Sequence, residues 1–231
     1  MTNPAQYVWV VGPYVAMVVF VLGHIWRYRM DKFGWTTRST QLLESRWLAW
    51  GSNLFHYGAL AAIGGHVLGI LVPSQLTAYV GVNENRYHLL SAGAGTVAGV
   101  VCAAGLVILV ARRVRFPRVR PTTTYTDLAV YLLLVAIIGL GLYETITYSA
   151  LGGGYDYRAT VAIWFRGLFT LSPHPDLMVS TPLVYQLHAA TAWLLFALWP
   201  FSRLVHAWSI PFQYIGRPYI LYRRRYAASP R

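Results

Sequence analysis

The residues best equipped for chemistry are four histidines on two apolar stretches. His56 and His66 lie in 49–72, AWGSNLFHYGALAAIGGHVLGILV, which carries no formally charged residue, and His188 and His206 lie in 183–207. A titratable ring inside a bilayer-length apolar helix is expensive and usually serves a site. Neutral imidazole nitrogens bind metals, including the iron of a haem, and a histidine can also relay protons.

Spacing organises the four. At about 1.5 Å rise per residue, a helix over 49–72 puts His56 about 6 Å on one side of its midpoint and His66 about 9 Å on the other. A helix over 183–207, running the opposite way, puts His188 about 10 Å toward the His66 end and His206 about 16 Å toward the His56 end. His66 and His188 therefore match in depth. His56 and His206 share a side but differ by roughly 10 Å, which a bend at Pro200 or helix tilt is expected to absorb. The crossed pairing leaves offsets of about 16 and 25 Å, too large for two ligands of one ion. Bundle cores build cofactor sites between facing helices in this way.

Two bis-histidine haems at two depths would form an electron path, and this reading fits the spacing best. Three others stay open on the residues alone. A zinc site wants its ligands in one sphere. A proton relay or transporter would be expected to recruit intramembrane carboxylates, for which the candidates are Asp127 and Glu144, both near span ends. The fourth is plain helix–helix hydrogen bonding.

The elements that must position these rings are transmembrane helices. The 231 residues are 56% hydrophobic and only 11% charged, against about 25% charged in soluble domains. Five segments reach the roughly 20 apolar residues a span needs: about 7–27, 49–72, 88–111, 127–149 and 183–207. The fold class expected is an all-α integral membrane bundle of five transmembrane helices, with residues 1–208 forming one domain. Residues 1–26 hold no Lys or Arg, so the first span reads as a retained helix rather than a cleaved signal.

The net charge of +12 does not indicate nucleic acid, because the basic residues fall in short blocks between spans. Sixteen of the nineteen lie in the loop after span one, the loop after span three, or the segment from Arg203 onward. By the positive-inside rule that side is cytoplasmic, so the N-terminus is outside and the C-terminus is cytoplasmic. Residues 209–231, basic and aromatic, read as a cytoplasmic tail docking a partner subunit, since Arg and aromatics favour interfaces.

The single cysteine, Cys102, forms no intrachain disulfide, cannot hold an iron–sulfur cluster and supplies no C-x-x-C-H for covalent haem. It reads as a small apolar residue in a helix. In the outer loop 150–182, ATVAIWFRGLF reads as a short interfacial helix. Gly95 and Gly99 of span three, in GxxxG spacing, fit close helix packing or room for a flat cofactor.

Three motifs carry a resemblance over nearly the whole chain: GSNLFHYG…GGHVLG in span two, FPRVRPTTT in the inner loop and PFSRLVHAWSIPFQY after span five. They resemble the gamma subunit of the respiratory membrane-bound nitrate reductase, a di-haem cytochrome b. The resemblance implies two haem b groups, with His66 and His188 holding the outer haem iron and His56 and His206 the inner. It implies quinol oxidation near the outer face, as part of a quinol:nitrate oxidoreductase. Electrons would then pass through both haems to a cytoplasmic iron–sulfur beta subunit and a molybdenum-containing alpha subunit. The setting implied is the cytoplasmic (inner) membrane, multi-pass. Arg86 is the expected counterpart of a basic quinol-site residue of the family, with His88 and Gly65 as further quinol-site candidates. The cytochrome b of a related sulfite- or heterodisulfide-linked complex, and a haem-free transporter with a histidine relay, are the alternatives.

Overall fold

The computed structural model describes residues 4–151 and 154–209, together with Gly216 and Pro218. Among the described residues the chain is helical, with no strand. Four helices are long and apolar enough to cross a membrane: α1 (Pro4–Met30), α2 (Arg46–Leu71), α4 (Glu84–Arg115) and α5 (Tyr125–Ala150). Short α3 (Ser74–Tyr79) precedes α4, and α6 (Val161–Phe169) and α7 (Pro175–Val179) fill the loop after α5. The fifth expected span differs from a continuous helix. α8 covers Leu183–Leu198 only, and the chain continues as 3₁₀ turns over Trp199–Phe201 and Arg203–Trp208.

Local chemistry sets the helix ends. The Asn83 side chain accepts from Arg86 N to start α4, whose last turn carries Arg112, Arg113 and Arg115 against the negative end of the dipole. Thr124 and Asp127 form a reciprocal capping box that starts α5.

The closest packing joins α2 to α4. A Cβ on Gly58 would sit 2.7 Å from Cys102 Cα, and one on Gly105 would sit 2.7 Å from Phe55 Cα. Cys102 is buried in this crossing, as a small helix residue should be. Gly99 makes way for α5, since a Cβ there would fall 2.6 Å from Leu142 Cδ2, and Gly95 faces Thr145 at 3.4 Å. The GxxxG pair of span three therefore serves helix packing. α8 packs on α5 and α1, whereas α2 and α8 face each other without extensive contact.

The basic segments meet at one end of the bundle. Arg112 donates to Glu44 Oε2 at 2.6 Å and to the Thr40 hydroxyl and carbonyl, tying the α1–α2 loop to α4. Arg203 forks onto Asp127 with contacts of 2.6 and 2.5 Å, and Arg27 donates to the carbonyls of Pro200 and Gly34. Arg27, Arg112 and Arg113 are buried, so these residues do structural work beyond setting orientation.

At the opposite end, Trp164 of α6 is 1% exposed, meets Trp9 edge-on and donates its Nε1–H to Trp9 O at 2.7 Å. Val161, Ala162, Trp164, Gly167 and Leu168 are all buried, packing one face of α6 against the bundle end with Trp9, Met178 and Tyr185, while Ile163 and Phe169 stay exposed. The expected docking tail, 209–231, lies outside the described residues apart from Ser209, Gly216 and Pro218.

Candidate functional site

The structure brings the four histidines together in two pairs. The His66 and His188 rings have centroids 5.9 Å apart, and the His56 and His206 rings 6.0 Å apart. α2 supplies one ring of each pair. α8 supplies His188, and the 3₁₀ turn beyond its end supplies His206. The break at Trp199–Ser202 lets His206 reach the level of His56.

Three of the rings are held by their own backbone one turn back. His56 Nδ1 lies 2.7 Å from Ser52 O, His66 Nδ1 2.7 Å from Ala62 O, and His206 Nδ1 2.6 Å from Arg203 O. A carbonyl can only accept, so each Nδ1 carries a proton, and in the neutral ring Nε2 is then the nitrogen with the lone pair. In the inner pair both remaining nitrogens are then acceptors. Neutral rings in that state cannot hydrogen-bond to each other, but a Lewis acid shared between them satisfies both. Two imidazoles bound to one ion at about 2.0–2.1 Å put their ring centroids roughly 6 Å apart. Both pairs match that separation, and α2 and α8, held apart, leave the rings to bridge the gap. The residues present fit a group clamped between each pair. Among the described residues no three of His, Cys, Asp and Glu gather as a metal-binding cluster.

A cavity of about 340 Å³ opens beside the inner pair, lined by Ser52, His56, Arg112, Arg113, Arg203 and His206 among others. Asp127 lines it too and neutralises Arg203, Glu44 pairs with Arg112, and Arg113 is held by the Tyr131 and Thr123 hydroxyls. Burial works against the charge of Glu44. Hydrogen bonds from Trp47 N, Arg112 and Leu48 N outweigh it and hold that carboxyl below the ordinary glutamate range.

The quinol-site candidates sit apart. Arg86 is exposed in the first turn of α4 and donates to Gly81 O. His88 lines a cavity of about 180 Å³ with Glu84, Tyr87, Ser91, Tyr157 and Arg158. In that wall Arg158 pairs with Glu84 and stacks on Tyr87, its Cζ 4.1 Å from the ring centroid. Burial and the Tyr87 hydroxyl raise the Tyr157 phenol pKa. Gly65 lies beside open space: among the described residues a Cβ there would meet nothing within 4 Å. His24 bonds Phe20 O between Trp35 and Trp208, and His174 is exposed before α7.

Sequence reasoning missed Arg158, and it singled out Glu144 only as a relay carboxylate, not as the neighbour of His188, from which it lies 3.5 Å. Charge at the end of an apolar span was the available signal for Glu144.

Comparison with known proteins agrees with this architecture. The nitrate reductase gamma subunit family matches residues 5–225. The chain is 43% identical over 220 residues to the nitrate reductase gamma chain of Bacillus subtilis (strain 168), covering 95% of this chain and 98% of that one. It is 36% identical over 219 residues to the respiratory nitrate reductase 1 gamma chain of Escherichia coli (strain K12), covering 93% and 95%. It is also 48% identical over 218 residues to the nitrate reductase-like protein NarX of Mycobacterium tuberculosis, covering 94% of this chain but 33% of that protein. The chain thus spans about a third of the length of that relative. With four apolar helices of membrane-crossing length and matches running nearly end to end, the chain belongs to the nitrate reductase gamma subunit family.

Proposed function

We propose that this chain is the di-haem cytochrome b of a nitrate reductase complex, oxidising quinol near its outer face and delivering electrons to a cytoplasmic iron–sulfur beta subunit. The alpha subunit, holding molybdenum, would perform the nitrate chemistry. The observation that carries the reading is the pair of ring separations, 5.9 and 6.0 Å, at two levels of one bundle. His66 and His188 would hold the outer haem iron, and His56 and His206 the inner. A haem held by each histidine pair would supply a one-electron carrier.

The chain's own residues do the rest. The backbone carbonyls of Ser52, Ala62 and Arg203 fix three of the rings in the tautomer that offers Nε2 to a metal. Arg113, in the wall of the inner cavity and bonded to the Tyr131 and Thr123 hydroxyls rather than to a carboxylate, suits the carboxylates a haem carries. Arg86, His88 and Gly65 are the outer candidates for quinol. Arg86 can donate to a quinol oxygen, His88 can accept its proton, and the open side of Gly65 lets a ring approach beside His66. The orientation that fits has the basic end cytoplasmic, with α8 and its 3₁₀ extension as a fifth crossing in the inner membrane.

A proton relay needs carboxylates along the histidines. Glu144 stands near His188, but Asp127 is engaged by Arg203 at the inner level, which favours the haem reading. A reduced-minus-oxidised spectrum of the purified chain tests it. Two b-type centres are expected, with His66→Ala removing the outer and His206→Ala the inner. A folded chain without b-type absorption would sink the proposal.

A further inference from the structure

We propose that Glu144 is a positioning residue for His188, receiving the Nδ1–H of that ring where the other three histidines use a backbone carbonyl. This rests on the di-haem reading and adds a part to its outer site. His56, His66 and His206 all turn Nδ1 onto a carbonyl three or four residues back. His188 does not: among the described residues its Nδ1 has no hydrogen-bond partner, and the group facing it is Glu144 Oε2, 3.5 Å away. Both side chains are largely buried, 15% and 13% exposed, and the second carboxyl oxygen of Glu144 is likewise without a partner. A buried ring nitrogen without a partner and a buried carboxyl with one oxygen unpaired are costly apart and mutually satisfying together.

The backbone of α5 is shaped to receive the ring. One turn before Glu144 lies Gly141, where a Cβ would fall 2.8 Å from His188 Cε1. Only glycine lets the ring edge come this near to the helix that carries Glu144. The α-helical part of α5 ends at Glu144, and a π-helical turn begins at Thr145, whose hydroxyl ties back to Gly141 O. Such turns often mark functional sites.

A carboxyl acceptor on the non-ligating nitrogen fixes the ring's tautomer and orientation and makes it a stronger electron donor to the metal. Axial-ligand basicity is one of the protein's levers on haem potential. The outer centre is therefore held harder to reduce than a carbonyl-bonded histidine would make it. His66, its partner, has the ordinary backbone anchor, so the asymmetry lies on the α8 side.

The test is a redox titration of the full chain in membranes, following both centres optically and by low-spin electron paramagnetic resonance. Glu144→Ala is expected to move the outer centre about tenfold toward the reduced form at a fixed poise, which is about 59 mV for a one-electron couple. The outer resonance should broaden as the ring loses its fixed orientation, and the inner centre should stay in place. Glu144→Gln, which keeps a carbonyl acceptor of the same length, should give a smaller shift in the same direction. An outer centre that titrates as wild type in either folded variant overturns the role of Glu144, as does an equal shift of both centres. If Glu144→Ala does not fold, Glu144→Gln decides alone by the same criterion. Absence of both centres from the wild-type chain would instead defeat the di-haem reading, so the two failures are distinguishable.

Discussion

Asp127→Asn offers a direct probe of how the inner histidine is held. Asp127 is 3% exposed and receives Arg203 through two contacts, Nε to Oδ1 at 2.6 Å and Nη2 to Oδ2 at 2.5 Å. The carbonyl of that same arginine accepts from His206 Nδ1. Removing one partner of a buried ion pair typically costs about 3–5 kcal/mol, because the other charge is left behind. Here the Arg203 side chain is 16% exposed and keeps a second acceptor, Thr37 O at 3.2 Å. The cost should fall near the lower limit, about 3 kcal/mol. The substituted amide still offers an oxygen to Thr124 N, so the capping box is largely kept. At 1.4 kcal/mol per decade, 3 kcal/mol raises the open population of the 3₁₀ segment by roughly a hundredfold. The assay is haem content per chain in detergent, with thermal unfolding followed in parallel. The variant should lose the inner centre while keeping the outer. The double substitution Asp127→Leu with Arg203→Met removes both charges and should recover most of the lost stability. An Asp127→Asn chain with both centres at full content and an unchanged melting point would refute the chain of support from Asp127 through Arg203 to His206.

Two further outcomes follow from space and charge. Gly58→Leu should prevent α2 and α4 from closing, because even a Cβ would press on the Cys102 backbone. Gly65→Ala, whose Cβ would meet nothing within 4 Å, should leave unfolding within about 0.5 kcal/mol of wild type; comparable unfolding of the two variants in a thermal assay would contradict the packing. Glu44, whose carboxyl is held below its ordinary range, contributes stability that is full above the unfolded-state glutamate pKa and is lost as pH falls through the lower folded one. The melting-point gap between wild type and Glu44→Gln should accordingly narrow on acidification below the usual glutamate range. A gap that is constant or grows would show that the Arg112 pairing is not the source.

The helices were legible because a bilayer-length apolar run has few other uses. Four of the five expected spans agree with the observed ends to within about four residues. The depth pairing was legible because 1.5 Å per residue turns sequence spacing into height. What escaped was whatever depends on the azimuth of a helix. GxxxG spacing drew attention to Gly95 and Gly99, but the tightest crossing uses Gly58 and Gly105 on two different helices, which no single-helix motif links. Gly51, Gly58 and Gly65 recur every seven residues, yet the first two face α4 and the third faces open space. The buried arginines escaped for a similar reason. A basic block at a span end reads as a solvated anchor until its partners, Thr40, Glu44 and Asp127, are brought in from distant segments.

The inner pair shows how a mismatch in the sequence becomes a structural instruction. His56 and His66 are ten residues apart on α2, about 15 Å of helix. His188 and His206 are eighteen apart, which would be about 27 Å if α8 ran on. α8 stops at Leu198, ten residues past His188, where it has covered the same 15 Å. From there the chain must stop advancing along its axis. Pro200 disfavours a continuing α-helix, and Ser202 is extended, with φ −115° and ψ 179°. Six of the eight residues of SRLVHAWS then help to turn the chain sideways. The Ser202 hydroxyl accepts from Leu204 N and donates to Trp199 O, while the Trp199 indole donates to Leu204 O. Arg203 anchors to Asp127 and lends its carbonyl to the His206 ring, Val205 is fully buried, and the Ser209 hydroxyl donates to His206 O. The most distinctive motif in the chain is therefore a helix terminator joined to a ring holder. Its eight residues convert an offset that no straight helix could accommodate into two imidazoles 6.0 Å apart.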